Sequence, residues 1–127
     1  MYFQTFPKSE GKIQVWALYP ARNKSKVNIL KVPNKTILKY GAVSVHTCKS
    51  MVINLNKLSG TKISLSITGV AGPKGGTQKK PVGLVYIGIV KGNFIKVKKF
   101  LFKTKSRKSI QNLTVKAALN LILLVAK

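Results

Sequence analysis

The sequence predicts a single α/β domain over residues 1–127, a mixed sheet flanked by helices, and three observations carry that prediction. Short apolar runs bounded by proline and glycine, with period-two alternation in one of them, mark strands on either side of a segment with helical periodicity. A second helical segment closes the chain, so strands and helices interleave as they do when helices cover a sheet. At 127 residues, 45% of them hydrophobic, the chain can bury one core and is too short for two.

Taken in order, residues 1–12 are poorly patterned, and residues 13–19 (Ile-Gln-Val-Trp-Ala-Leu-Tyr) form an aromatic-rich run stopped by Pro20, the pattern of a buried strand. A basic loop and a short apolar segment over 26–32 lead to Pro33. Residues 34–40 then offer one or two helical turns before Gly41. Ser44 is placed to cap a helix whose apolar positions Cys48, Met51, Val52 and Leu55 recur at i, i+3, i+4 and i+7, ending at Ser59-Gly60. Residues 62–68 (Lys-Ile-Ser-Leu-Ser-Ile-Thr) alternate as a half-buried strand. A glycine- and proline-rich loop over 69–81 follows, and a hairpin of strands 82–90 and 94–102 turns at Lys91-Gly92-Asn93. The tail, residues 109–127, sets Ile110, Leu113, Ala117, Leu121 and Leu124 on one face of a long helix.

Composition excludes whole classes of chemistry. The formal charge is +23, from 22 Lys and 2 Arg against Glu10 as the sole acid. Mechanisms built on two carboxylates, carboxylate-held Mg²⁺ or Ca²⁺, and a Ser-His-Asp triad are therefore ruled out. A single Cys48 allows no internal disulfide, and with His46 it is too small a set for zinc, so no metal and no cofactor is expected. The longest apolar stretch, 117–126, is about ten residues against the roughly 20 of a membrane span. The N-terminus lacks a signal pattern. A cytoplasmic protein with no membrane partner is the expectation.

The loop over 69–81 is the most informative segment. A strand that feeds glycines lets backbone N–H groups approach an anion, although neither a P-loop Gly-Lys-Ser/Thr nor a dinucleotide fingerprint is present. The run from Thr68 to Gly88 (Thr-Gly-Val-Ala-Gly-Pro-Lys-Gly-Gly-Thr-Gln-Lys-Lys-Pro-Val-Gly-Leu-Val-Tyr-Ile-Gly) closely resembles the signature of the CinA carboxy-terminal domain family, which includes bacterial nicotinamide mononucleotide amidohydrolases. Tyr40-Gly-Ala-Val-Ser44 resembles the family's second motif, and the segment from Ile110 to Ile122, preceded by Arg107, resembles its last helix. The family's first strand-helix unit, with its Glu-Ser-Cys-Thr-Gly-Gly segment, has no counterpart, so the chain is expected to be an N-terminally truncated copy.

That resemblance implies hydrolysis of the carboxamide of nicotinamide mononucleotide to nicotinic acid mononucleotide and ammonia. It assigns catalysis to Ser9, Tyr19 and Lys26. Ser9 stands ten residues before Tyr19, and Lys26 matches the family lysine with two residues inserted after the tyrosine. A lysine kept neutral by desolvation or neighbouring cations can take a serine proton without any acid. Substrate binding falls to Arg107, for the phosphate, and to Gly69, Gly72, Gly75, Gly76 and Thr77. Two rivals stay open: an inactive truncated relative, and a basic nucleic-acid-binding protein. A charge of +23 attracts nucleic acid non-specifically whatever else the chain does. The expected partners are a small nucleotide substrate, nucleic acid through charge alone, and a second copy in a homo-oligomer. His46 is expected on the surface, Cys48 in the core, and Trp16 in the core of its strand.

Overall fold

Residues 2–5, 13–19, 32–104 and 106–126 are described by the computed structural model, the first two segments as backbone. Their elements are β1 (Tyr2–Thr5), β2 (Ile13–Tyr19), α1 (Asn34–Tyr40), α2 (Val45–Ser59), β3 (Ile63–Gly69), β4 (Leu84–Lys91), β5 (Phe94–Leu101) and α3 (Arg107–Ala126). The five strands form one sheet in the order β1-β2-β3-β4-β5. β2 and β3 are parallel, in register Ile13↔Ile63, and the other three pairings are antiparallel. A parallel pair needs a crossover, and α1 and α2 lie in the chain between these two strands. The mixed sheet agrees with expectation. β1 does not: four residues from the poorly patterned N-terminus pair with β2, which no short-range pattern signalled.

Strand alternation sends successive side chains to opposite faces. Ile63, Leu65 and Ile67 of β3 and Val85, Ile87 and Ile89 of β4 point one way and pack under Ile110, Ala118, Leu121 and Ile122 of α3. Leu84 and Tyr86 point the other way, against Cys48 of α2. The sheet thus lies between α2 and α3.

α2 follows the sequence reading closely. Ser44 has extended backbone, and its Oγ accepts from the Thr47 N–H at 3.1 Å; Gly60 closes the helix at φ 64°, its N–H donating to Asn56 O. Cys48, Met51, Val52 and Leu55 are all buried. Ser44→Ala leaves one N-terminal donor unmet and is expected to cost about 1 kcal/mol. A urea midpoint shift at constant slope would measure it, and an unshifted midpoint would refute the cap.

β3 corrects the expectation of a half-buried strand, because its polar side is buried as well. Ser64 Oγ accepts from Asn56 Nδ2 at 2.9 Å, Ser66 Oγ donates to Cys48 O at 2.9 Å, and Thr68 Oγ1 donates to Ala42 O at 2.8 Å. Alternation here separates an apolar face from a hydrogen-bonded one, both covered. Buried hydroxyls are tolerated only with such partners. The first hairpin strand was expected from residue 82 and begins at Leu84, since Val82 and Gly83 belong to the loop.

α3 starts at Arg107, two residues before the expected point, and turns a different face inward. Leu113 and Leu124 are 39% and 67% exposed, whereas Thr114, Ala118 and Ile122 are buried beside Ile110 and Leu121. The spacing 110, 114, 118, 121, 122 is a helical stripe, and Thr114 enters it because its hydroxyl donates to Ile110 O at 2.6 Å. By length and composition alone α3 is long and apolar enough to cross a membrane, because the helix runs back past residue 117 to Arg107. Lys91 of β4 donates through Nζ to Val125 O, bringing a cation to the carboxyl end of α3, whose own last turn has no basic residue.

Candidate functional site

The carboxyl ends of β2 and β3 lie at one end of the sheet, because these strands are parallel. In α/β sheets, ligands bind outside such ends. Two loops meet there. Residues 41–44 join α1 to α2, and residues 70–83 join β3 to β4.

Each carbonyl of the shorter loop's first three residues has a donor. Ser44 Oγ (3.0 Å) and Thr47 Oγ1 (2.7 Å) donate to Gly41 O, Thr68 Oγ1 donates to Ala42 O, and Lys80 Nζ donates to Val43 O. Lys80 Nζ also lies 3.5 Å from Tyr40 O. One cation from the glycine loop therefore ties the Tyr40–Ser44 motif to it. Sequence reasoning did not single out Lys80, and only its position inside the Thr68–Gly88 run marked it out.

The longer loop is closed at its base by Val70 N–H to Leu84 O (2.9 Å) and Gly83 N–H to Val70 O (2.8 Å). Near its far end Thr77 N–H donates to Lys80 O, and Lys80 N–H returns to Thr77 Oγ1 at 3.0 Å. An open cavity of about 500 Å³ lies between residues 73–77 and Pro81-Val82, with Lys74 in its wall. The glycines divide by task. A Cβ at Gly69 would come within 2.9 Å of Leu84 O, and one at Gly76 within 2.7 Å of Val82 N, so both serve close packing. Gly72 combines φ 71° with contact on Val82, whereas Gly75, at φ 93°, has nothing within 4 Å of its Cβ position. Gly75, Gly76 and Thr77 are exposed in the cavity wall; Gly72 is buried beneath it.

Arg107 opens α3 and donates from Nη1 to Gly72 O at 3.3 Å. The start of the last helix, the glycine loop and the Tyr40–Ser44 loop are thereby joined through Arg107 and Lys80. Tyr19 ends β2 opposite Tyr2, at the same end of the sheet as Gly69. The side chains of Tyr19 and Trp16, and all of Ser9 and Lys26, lie outside the described residues. His46 is exposed, as expected, with its ring stacked on Tyr40 at 3.6 Å. Together they border a second open cavity of about 340 Å³ with Lys49, Ser50 and Asn54 of α2. Cys48 is fully buried. Among the described residues no three His, Cys, Asp or Glu side chains group as metal ligands.

Comparison with known proteins agrees with this geometry. The CinA C-terminal domain model matches residues 19–125. A CinA-like protein of Syntrophomonas wolfei is 47% identical over 100 residues, covering 79% of this chain and 24% of that protein. A CinA-like protein of Prochlorococcus marinus is 43% identical over 105 residues, covering 81% and 25%. The chain spans about a quarter of the length of these relatives. Among solved structures, the competence/damage inducible protein CihA from Agrobacterium tumefaciens superposes with a TM-score of 0.80 at 30% identity, covering 84% of this chain and 65% of that one. A CinA superfamily protein from Enterobacter cloacae shares the fold, with a TM-score of 0.77 at 24% identity. With a family match across most of its length and the motifs of that match meeting at one end of the sheet, this chain belongs to the CinA C-terminal domain family.

Proposed function

We propose that this chain is a nicotinamide-nucleotide amidohydrolase that converts the carboxamide of nicotinamide mononucleotide to the carboxylate with release of ammonia. The observation that supports it best is the joining of two loops and the start of α3 at the carboxyl end of the parallel strands through Arg107 and Lys80. This arrangement leaves Lys74 and exposed loop backbone around an open cavity, a setting suited to a phosphorylated ligand.

In this reading Ser9 Oγ attacks the carboxamide carbon while Lys26, in its neutral form, takes the hydroxyl proton. The proton passes to the departing nitrogen, which leaves as ammonia, and water then hydrolyses the acyl-serine ester. Tyr19, at the end of β2, assists by hydrogen bonding, and Arg107 with residues 75–77 holds the phosphate. No metal is needed for these steps.

The test is release of ammonia and nicotinic acid mononucleotide by the purified protein, beside Ser9→Ala and Lys26→Ala. Turnover by the parent chain, lost in both variants, is the expected result. A folded parent chain that releases neither product would overturn the proposal and leave a relative without this activity.

A further inference from the structure

β5 is the last strand of the sheet, and no described residue pairs with its outer edge. Its backbone parity can be read directly. Phe102 N–H donates to Gly83 O at 2.9 Å, and the register Leu84↔Leu101 sets these two residues opposite one another. Hydrogen-bonded pairs alternate along an antiparallel ladder. Phe100, Lys98, Lys96 and Phe94 therefore turn their N–H and C=O groups toward β4, while Leu101, Lys99, Val97 and Ile95 turn theirs outward. An eight-residue edge with its ladder groups facing out is a template for another strand.

The side chains say what kind of strand fits. The face shared with α3 runs Phe94, Lys96, Lys98, Phe100: apolar, cationic, cationic, apolar. Phe94 is 49% exposed, both lysines are exposed, and Phe100 is half-buried with Lys98 Nζ 5.3 Å from its ring. Directly opposed residues of opposite charge stabilise a strand pair, and like charges oppose it. A second copy of β5 is disfavoured on that ground: antiparallel pairing centred on Val97 sets Lys96 of each copy against Lys98 of the other. The chain itself offers Glu10 as its only acid.

We propose that the outer edge of β5 is a docking site for an extended acidic segment of a protein partner, added as a sixth strand. That segment carries two acids at alternate positions between two apolar residues. The pattern reads the same in both directions, so it fits in either orientation. Docking is independent of the amidohydrolase reading and lies on another part of the sheet.

The probe is a fluorescein-labelled peptide, Val-Thr-Glu-Thr-Glu-Thr-Val, titrated with the full chain and followed by anisotropy at about 0.15 M salt, where exposed charges are screened beyond roughly 8 Å. Four comparisons separate strand addition from the bulk field. A peptide of the same composition with its glutamates adjacent, and one N-methylated at the amides of both edges, are each expected to bind at least tenfold more weakly. Lys96→Glu with Lys98→Glu is expected to weaken binding by a similar factor. Lys99→Pro removes an outward N–H and leaves the ladder with β4 intact, so it is expected to weaken binding in a chain that still folds. Slowed amide exchange at Val97 and Lys99 on peptide addition would locate the strand. Equal binding of the reordered and N-methylated peptides, or of a single-stranded oligonucleotide of equal charge, would overturn the proposal and leave attraction by net charge alone.

Discussion

Gly83→Ala is expected to destabilise the fold by roughly 3 kcal/mol or more, a large share of the 5–15 kcal/mol typical of a small domain. Two costs add. Gly83 has φ 97°, outside the regions open to residues with a side chain, which by itself carries a penalty of order 1–3 kcal/mol. A Cβ there would also stand 2.2 Å from Phe102 O, a backbone atom that cannot retreat without breaking the Phe102 N–H to Gly83 O bond that ends the β4–β5 ladder. Gly92→Ala in the hairpin turn is the control. Gly92 sits at φ 60° with nothing within 4 Å, so only the cost of the left-handed conformation applies, about 1–2 kcal/mol. Urea unfolding of both variants separates the terms. A Gly83 variant no less stable than the Gly92 variant would show that β5 shifts freely, and that the loop base is not held as described.

Arg107→Ala is expected to raise KM for nicotinamide mononucleotide about 10- to 100-fold with kcat little changed, if Arg107 holds the phosphate in both ground and transition states. A hydrogen bond to a charged group is worth about 1.5–3 kcal/mol, which corresponds to that range. Arg107 also donates to Gly72 O, so a rival role is to position the glycine loop. The phosphate-free nicotinamide riboside distinguishes them. A phosphate contact leaves the riboside's kinetics unchanged in the variant, whereas a loop-positioning role degrades riboside and mononucleotide alike.

Local signals were sufficient where one short segment held both the pattern and its punctuation. α2 is the clearest element: its cap, four core positions and terminal glycine were all readable from residues 44–60. The β4–β5 hairpin and the glycine loop were readable for the same reason, and the longest motif of the family resemblance, Thr68 to Gly88, runs through that loop into β4. β1 was not readable, because a four-residue strand is defined by its pairing with β2 rather than by its own composition. For α3 the difficulty was an excess of signal. Leu113, Leu119, Leu123 and Leu124 are exposed while Thr114 is buried, so hydrophobicity pointed to several faces at once.

The candidate site divides along the same line. Arg107 and the glycine loop were named from their motifs, and the structure joins them through Gly72 O. Lys80 was not singled out, since a lysine's use depends on which carbonyl its flexible chain reaches, and Tyr40 and Val43 are distant in sequence. Charge, the absence of paired acids, the order of most elements and kinship with the CinA C-terminal domains follow from the sequence itself, because composition and local periodicity are properties of short windows. Which face of α3 is buried, the burial of the serines of β3 beneath α2, and the meeting of two loops with the start of α3 at one end of the sheet were decided only by tertiary structure. Those features depend on contacts between residues far apart in the chain, where steric fit and hydrogen-bond satisfaction select among faces that the sequence leaves nearly equivalent.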